Sequence, residues 1–543
     1  MTTPLALLVL AAPLAFAATA LTALAHPGAR CRPVERAGTV AGWLGLVVSA
    51  LAGGAVATRG LVESPTLGVG GVGASIRLDA LSTVMLGMIA LLAVVIFRFS
   101  ATYLGGDERR GIFLGRLAAT IACVEVLVLA GNLGLLVVAW IATSLALHQL
   151  LVFYGDRHGA RLAARKKFIA ARVGDAFLIA ASVALVAQVG TGNLEVIFDE
   201  IRRNGSGPAL GAIGLAAVGL AVAAMLKSAQ FPAHGWLMEV METPTPVSAL
   251  LHAGILNAGP FLAIRMAFVL DGAGLATALL IAVGAVTAVF ASVALLTQPS
   301  IKVALAYSSA AHMGFMLMIC GMGVYPAALL HLVAHSFYKA HAFLSSGSVI
   351  DERRAARVAL PRRLGSPWRL AGSLAIALAL YLPLALIYGI DLGGDPVLVA
   401  VGGILVMGTT QLIAPALDSE GGLAATVRAS LLALAVTGAF FTLETGAHHL
   451  LRSTLPAELQ RGSWHLALIV VVLVAFGAVV AQQLVDPARP PSARRRAMAI
   501  HLRNGLYANA LFDRAVGALR TTDAPAGAPF VTTAGAPLPE PAR

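Results

Sequence analysis

The chain has 543 residues, 58% hydrophobic and only 12% charged, with a formal net charge of +12 and a mean hydropathy of +0.85. An ordinary soluble protein carries about 25% charged residues, so a water-soluble globule is excluded; the basic residues flank apolar runs, which argues against a nucleic-acid partner. Cys31, Cys123 and Cys320 have no paired spacing, so no metal site, disulfide framework or other cofactor is expected in this chain.

Apolar runs recur from residue 4 to about 484. Each approaches the ~20 residues that a helix needs to cross a bilayer. Inside lipid the backbone must pair within its own segment, so helices are expected. Roughly fifteen spans are read from the sequence, near 4–25, 38–58, 78–103, 112–130, 133–154, 168–189, 209–228, 243–269, 274–297, 302–321, 325–350, 368–389, 396–416, 424–443 and 463–484. The first run has no Lys or Arg before Arg30, so it reads as a retained helix rather than a signal peptide. The fold class is an all-α polytopic membrane protein with about 13–15 transmembrane helices.

Basic residues alternate between loops. Arg30, Arg32, Arg36, Arg109 and Arg110 fall on one side, with the run Arg157, Arg161, Arg165, Lys166 and Lys167, the cluster Arg353–Arg363, and Arg494, Arg495 and Arg496. The positive-inside rule then puts the C-terminus in the cytoplasm and the N-terminus in the periplasm of a bacterial inner membrane. The chain divides into N-terminal helices (1–111), a core holding nearly all the intramembrane ionisable residues (112–350), apolar C-terminal helices (351–485), a basic amphipathic stretch (486–520) and a Pro/Ala-rich tail (521–543) expected to be disordered. Met498, Leu502, Leu506, Phe512, Val516 and Leu519 recur at helical intervals, so the basic stretch is expected to lie on the membrane or to dock a partner.

Lysine carries the functional signal. Of 38 basic residues five are lysines: Lys166, Lys167, Lys227, Lys302 and Lys339. Arginine holds its charge, whereas a desolvated lysine can lose its proton. Lys339 sits mid-span, where a cation costs at least ~2.5 kcal/mol. His331 and His335 precede it by two turns and one turn, on the same helix face. Lys227 ends an apolar run before Ser228, Gln230 and Pro232, the pattern of a helix broken within the membrane. Lys302 begins its span, His252 lies two turns into a helix opened by Thr243 and Pro244, and Glu125 and Asp175 supply intramembrane carboxylates. For Asp175 a local ion pair with Arg172 is the competing reading. Together these eight residues are the candidate path for H+ or Na+; lone histidines and interfacial lysines read equally as packing or snorkelling groups.

The stretches VLVLAGNLGLL, ARVGDAFL, LKSAQFPAHGWLMEVMETPTPVSALLHAGILNAG, IKVALAYSSAAHMG and HLVAHSFYKAHAFLSSGSVI resemble the proton-translocating membrane subunits of respiratory complex I and the multisubunit cation/proton antiporters. That resemblance implies two inverted five-helix repeats with a discontinuous helix in each, Lys227 as the central lysine of the first half-channel, and Asp175, His252, Lys302, His331, His335 and Lys339 on a polar axis. The pattern departs in places. Complex I subunits carry a glutamate directly after the tryptophan of the fifth helix, where Ile141 follows Trp140 here; Glu125 is the expected substitute. No lysine follows Lys339, although Pro383 is a candidate for a second break, and no long lateral helix follows the last span. The stretches HGWLMEVMETPTPVSALLHAGILNAG and HLRNGLYANALFDR look like the DabB branch, the membrane subunits of two-part inorganic carbon accumulation systems. The resemblance implies a soluble, zinc-binding, β-carbonic-anhydrase-like DabA partner whose one-way hydration of CO2 to bicarbonate is driven by cation flow. The chain itself is not expected to be catalytic. A proton-pumping subunit of a quinone oxidoreductase and a sodium/proton antiporter subunit remain alternatives.

Overall fold

In a computed structural model, residues 6–204, 210–347, 367–390, 396–418, 422–456, 463–484 and 492–515 are described. Among them, thirteen helices are long and apolar enough to cross a membrane. Two more, Leu210–Lys227 and Tyr325–Leu344, fill the remaining expected spans; they carry Lys227 and the His331/His335/Lys339 stripe.

The N-terminal group comprises α1 (Ala11–Ala25), α2 (Arg32–Arg59), α3 (Ala80–Tyr103), α4 (Arg110–Leu129) and α5 (Leu133–Leu151). The core continues through α6 (His158–Val189), the short amphipathic α7 (Leu194–Asn204), α8 (Leu210–Lys227) and α9 (Gly235–Glu239). After α9 comes a broken helix in three pieces, α10 (Thr245–Ala253), α11 (Ala258–Arg265) and α12 (Ala267–Asp271). It is followed by α13 (Gly274–Leu295), α14 (Ile301–Met322) and α15 (Tyr325–Leu344). Helices α16 (Pro367–Ile387), α17 (Pro396–Leu417), α18 (Gly422–Leu451) and α19 (Ser463–Leu484) form the C-terminal group, and α20 (Ala493–Arg503) and α21 (Ala508–Ala515) the tail.

Two interruptions lie in the core, of which the sequence suggested the first. Helix α8 stops at Lys227, and Ala229 turns left-handed at φ 51°, a conformation costly for a residue with a Cβ. Helix α10 stops at Gly254, whose φ of −123° and ψ of −65° are not helical. The second break for which Pro383 was the candidate does not occur there: α16 runs through Pro383 to Ile387. The proline lies inside the helix, four residues before its end, and removes one i→i−4 bond without ending it.

Glycine fixes the pitch of the helices that carry the polar groups. A Cβ on Gly284 of α13 would stand 2.5 Å from the Gly314 oxygen of α14, and one on Gly314 would stand 2.6 Å from the Gly284 oxygen. Backbones this close are the small-residue packing of membrane helices. Tyr381, Phe441, Val406 and Ile413 of α16–α18 form a small core separate from the main one.

At one end of the bundle, two antiparallel β-pairs (Val62–Glu63 with Arg77–Leu78, Leu67–Val69 with Val72–Ala74) cover the helix ends. Arg77, 2% exposed, bridges Glu63 at 2.9 Å, Glu195 at 2.7 Å and Asp79 at 2.8 Å, and Arg265 of α11 also pairs with Asp79. Asp79 caps α3 by accepting from the Ser82 N–H. Burial pushes the Asp79 carboxyl up, but Arg265 and Arg77 together hold it well below the ordinary aspartate range.

The opposite end is closed by the tail. Lys166 is fully buried and pairs with Glu239 at 2.5 Å and with Asp513 of α21. Asn509 donates to Glu239 at 2.8 Å. The tail thus docks on its own chain. Met498, Ile500 and Leu511 remain exposed; Val516 and Leu519 lie outside the described residues.

Candidate functional site

Lys166 and Lys167 read in the sequence as solvated charges marking orientation. The structure buries both in α6, because a 32-residue helix is far longer than a bilayer crossing requires and draws its basic first turns against the bundle. Lys166 forms the tail latch. Lys167 donates to the Ser144 carbonyl at 2.7 Å and its hydroxyl at 2.8 Å.

Lys227, 7% exposed, donates to the Trp140 carbonyl at 3.1 Å and sits 4.2 Å from the Trp140 ring centre. That ring face attracts the ammonium. Asp175 pairs with Arg172 at 2.6 Å, the local pairing that the sequence left as its competing reading. Glu125 is completely buried but faces elsewhere: its Oε1 lies 3.6 Å from the Cβ position of Gly45 in α2. Neither carboxylate oxygen of Glu125 has a hydrogen-bond partner. The expected substitution of Glu125 beside Trp140 therefore has no counterpart in the contacts of Lys227.

The second cluster lies between α10, α14 and α15. Lys339 is fully buried and donates to the Leu305 carbonyl at 3.3 Å. His335 and Ser336 are buried beside it, and Asn257 donates to Ser336 at 2.7 Å across to α15. His252 stacks on Phe343, ring centres 4.3 Å apart. Both ring nitrogens of His252 and of His335 are buried without a protein hydrogen-bond partner, which makes them natural hydration sites. His331 joins His312 of α14 at 2.8 Å, and the His312 and His335 rings lie 5.0 Å apart. Lys302 is half-buried and donates to Thr245 at 3.3 Å, at the end where α10 begins.

His312 was not singled out in the sequence. Its signal was its place one helix from His331 in a run of small residues, which becomes legible only when α14 and α15 pack. The C-terminal helices are also less featureless than their composition implies: Glu444, His448, Arg452, Asp271 and Tyr325 line a cavity of about 650 Å³ at the same end as Asp79.

No carboxylate forms an ion pair with Lys167, Lys227, Lys302 or Lys339 among the described residues, and no group of three metal-ligating side chains is found there. Buried ammoniums held by neutral oxygens are expensive while charged. Such groups can pass between charged and neutral states.

Residues 130–380 match the family described as NADH:quinone oxidoreductase/Mrp antiporter, transmembrane. The chain is 38% identical over 448 residues to the "Probable inorganic carbon transporter subunit DabB2" of Halothiobacillus neapolitanus, covering 82% of this chain and 81% of that protein. It is 42% identical over 325 residues to the DabB of Hydrogenovibrio crunogenus, covering 59% and 61%. Among solved structures, the Mrp complex from Dietzia sp. DQ12-45-1b aligns with a TM-score of 0.56 and 25% identity, over 96% of this chain and 57% of that one. An archaeal membrane-bound sulfane sulfur reductase aligns with a TM-score of 0.57 at 17% identity, over 94% and 99%, a likeness of fold. The chain belongs to the DabB family of inorganic carbon transporter subunits.

Proposed function

We propose that this chain is the cation-conducting membrane subunit of an energy-coupled inorganic carbon accumulation complex in a bacterial inner membrane. The observation that carries the reading is the set of buried Lys339 and His335 with half-buried His331 and His312, joined across α14 and α15 without a carboxylate counter-ion. The ion is a proton, because imidazoles and lysines with neutral partners suit proton hand-over better than they suit a sodium shell of oxygens. Lys227 and His252 extend the route, and Lys302 stands at the end where the tail docks, which the basic loops assign to the cytoplasm. The path serves a soluble, zinc-binding, carbonic-anhydrase-like partner that hydrates CO2 one way to bicarbonate; this chain is not catalytic by itself. The family name and the exposed apolar side chains of the docked tail support such a partner. The test is growth in air of a strain dependent on this complex: Lys227→Ala and Lys339→Ala should each abolish it while the complex still assembles. Normal growth of both variants would remove the ion path. Co-purification of a soluble zinc protein with the native chain tests the partner.

A further inference from the structure

Lys167 and Lys227 share one cavity. It has a volume of about 10 Å³ and is lined by both lysines, Leu147, Trp236, Leu251 and Ile255. Both lysines are anchored to α5, Lys227 on the Trp140 carbonyl and Lys167 on the Ser144 carbonyl and hydroxyl. Those carbonyls are one helical turn apart, a rise of about 6 Å. A cavity of this size holds about one water, and a water needs two to four polar partners. Here the two amines supply them, and Trp236 has a buried Nε1–H with no protein partner.

The charge environment defines what such a pair does. From α6 itself come the Arg172–Asp175 ion pair and Lys166, the latter neutralised by Glu239 of the α9 end and Asp513 of α21. From α5 comes His148, its ring tilted against Phe168. From α9 comes His234, among Phe231, Phe290 and Tyr307, and from α10 comes His252, turned to Phe343. None of these carboxylates forms an ion pair with Lys167 or Lys227. Two like charges in one cavity disfavour each other, so single protonation is the stable state.

We propose that Lys167 and Lys227 form a proton-sharing pair, bridged by one water, in which Lys167 is a second proton-carrying residue of the path. The step is balanced. The Lys227 ammonium gives a proton to the water, the water gives one to the neutral Lys167 amine, and the positive charge moves from one nitrogen to the other. This inference rests on the proposed ion path and deepens it.

The experiment is proton flux in proteoliposomes carrying the complete complex, measured across a pH series for native protein, Lys167→Met, Lys227→Met and the double variant. Lys167→Met should lower maximal flux at least tenfold. It should also shift the pH profile upward by about one unit, because Lys227 loses its like-charged neighbour. The double variant should be no worse than Lys227→Met alone. Native flux and profile in Lys167→Met would overturn the pair, and so would lost flux with an unmoved profile, the mark of a structural role. Lys167→Gln keeps a donor toward Ser144 and serves if the Met variant does not assemble; failure of both to assemble also overturns the pair. Loss of flux in Lys227→Met with native behaviour of Lys167→Met sinks only the pair, whereas native flux in Lys227→Met sinks the ion path.

Discussion

His312 Nδ1 lies 2.8 Å from His331 Nε2, tying α14 to α15 one turn from the ring of His335. One imidazole of such a pair must donate and the other accept, so the pair carries at most one positive charge while the bond lasts. That constraint makes it a relay. His312→Phe, which keeps the ring volume, should reduce proton flux at least tenfold with the complex intact. A variant with native flux would leave His331 and His335 as packing groups.

Glu125 should be dispensable. It faces α2, with its Oε1 3.6 Å from the Cβ position of Gly45 and no hydrogen-bond partner on either oxygen. Glu125→Gln is expected to leave flux within about twofold of native, since no charged partner is lost. A loss comparable to that of Lys227→Ala would place the carboxylate on the path after all.

At the β-covered end, Asp79 neutralises two buried arginines. Asp79→Asn leaves Arg77 and Arg265 underpaired, and breaking a buried pair costs about 3–5 kcal/mol. The melting temperature in detergent should fall clearly, and the loss should mimic acidification of the native protein. The sign follows from the lowered carboxyl: its contribution is full above the unfolded aspartate value of about 3.9 and is lost as pH falls from there through the lower folded value. Unchanged melting in Asp79→Asn would show the cluster to be idle.

The tail latch gives a prediction of local order. Lys166 holds Glu239 and Asp513 together, and a Cβ on Gly235 would stand 1.9 Å from Asn509 Oδ1. Lys166→Met should leave two carboxylates facing each other and release α20 and α21. Trypsin cleavage near Arg503 should then quicken several-fold, and deleting residues 493–543 should free the soluble partner. Unchanged cleavage would mean that the tail is held by Leu502 and Phe512 alone.

Much of this architecture was legible in the chain. Apolar runs of bilayer length announced the spans, and Lys227 before Ser228, Gln230 and Pro232 announced the first break, because few other patterns fit so polar a stretch inside lipid. The His331–His335–Lys339 stripe followed from helical periodicity. What stayed hidden depended on which faces meet. His312 acquires meaning only from α15, Lys167 only from Ser144 on α5, and Glu125 turned out to face α2. Pro383 misled because a membrane helix can run through an interior proline when neighbouring groups take up the freed carbonyl. The tail's amphipathic spacing was visible, but its docking surface, Lys166 and Glu239, lies about 270 residues or more away in the chain.

The central claim is that protons cross through lysines able to give them up. The most direct measurement is proton flux into proteoliposomes carrying the complete complex, comparing native protein with Lys339→Met and Lys339→Arg. Arginine keeps the charge but does not release its proton. Both variants should therefore fall to the leak of empty vesicles while the complex remains assembled. Native flux in Lys339→Arg would show that a fixed charge suffices, and native flux in both would contradict the account.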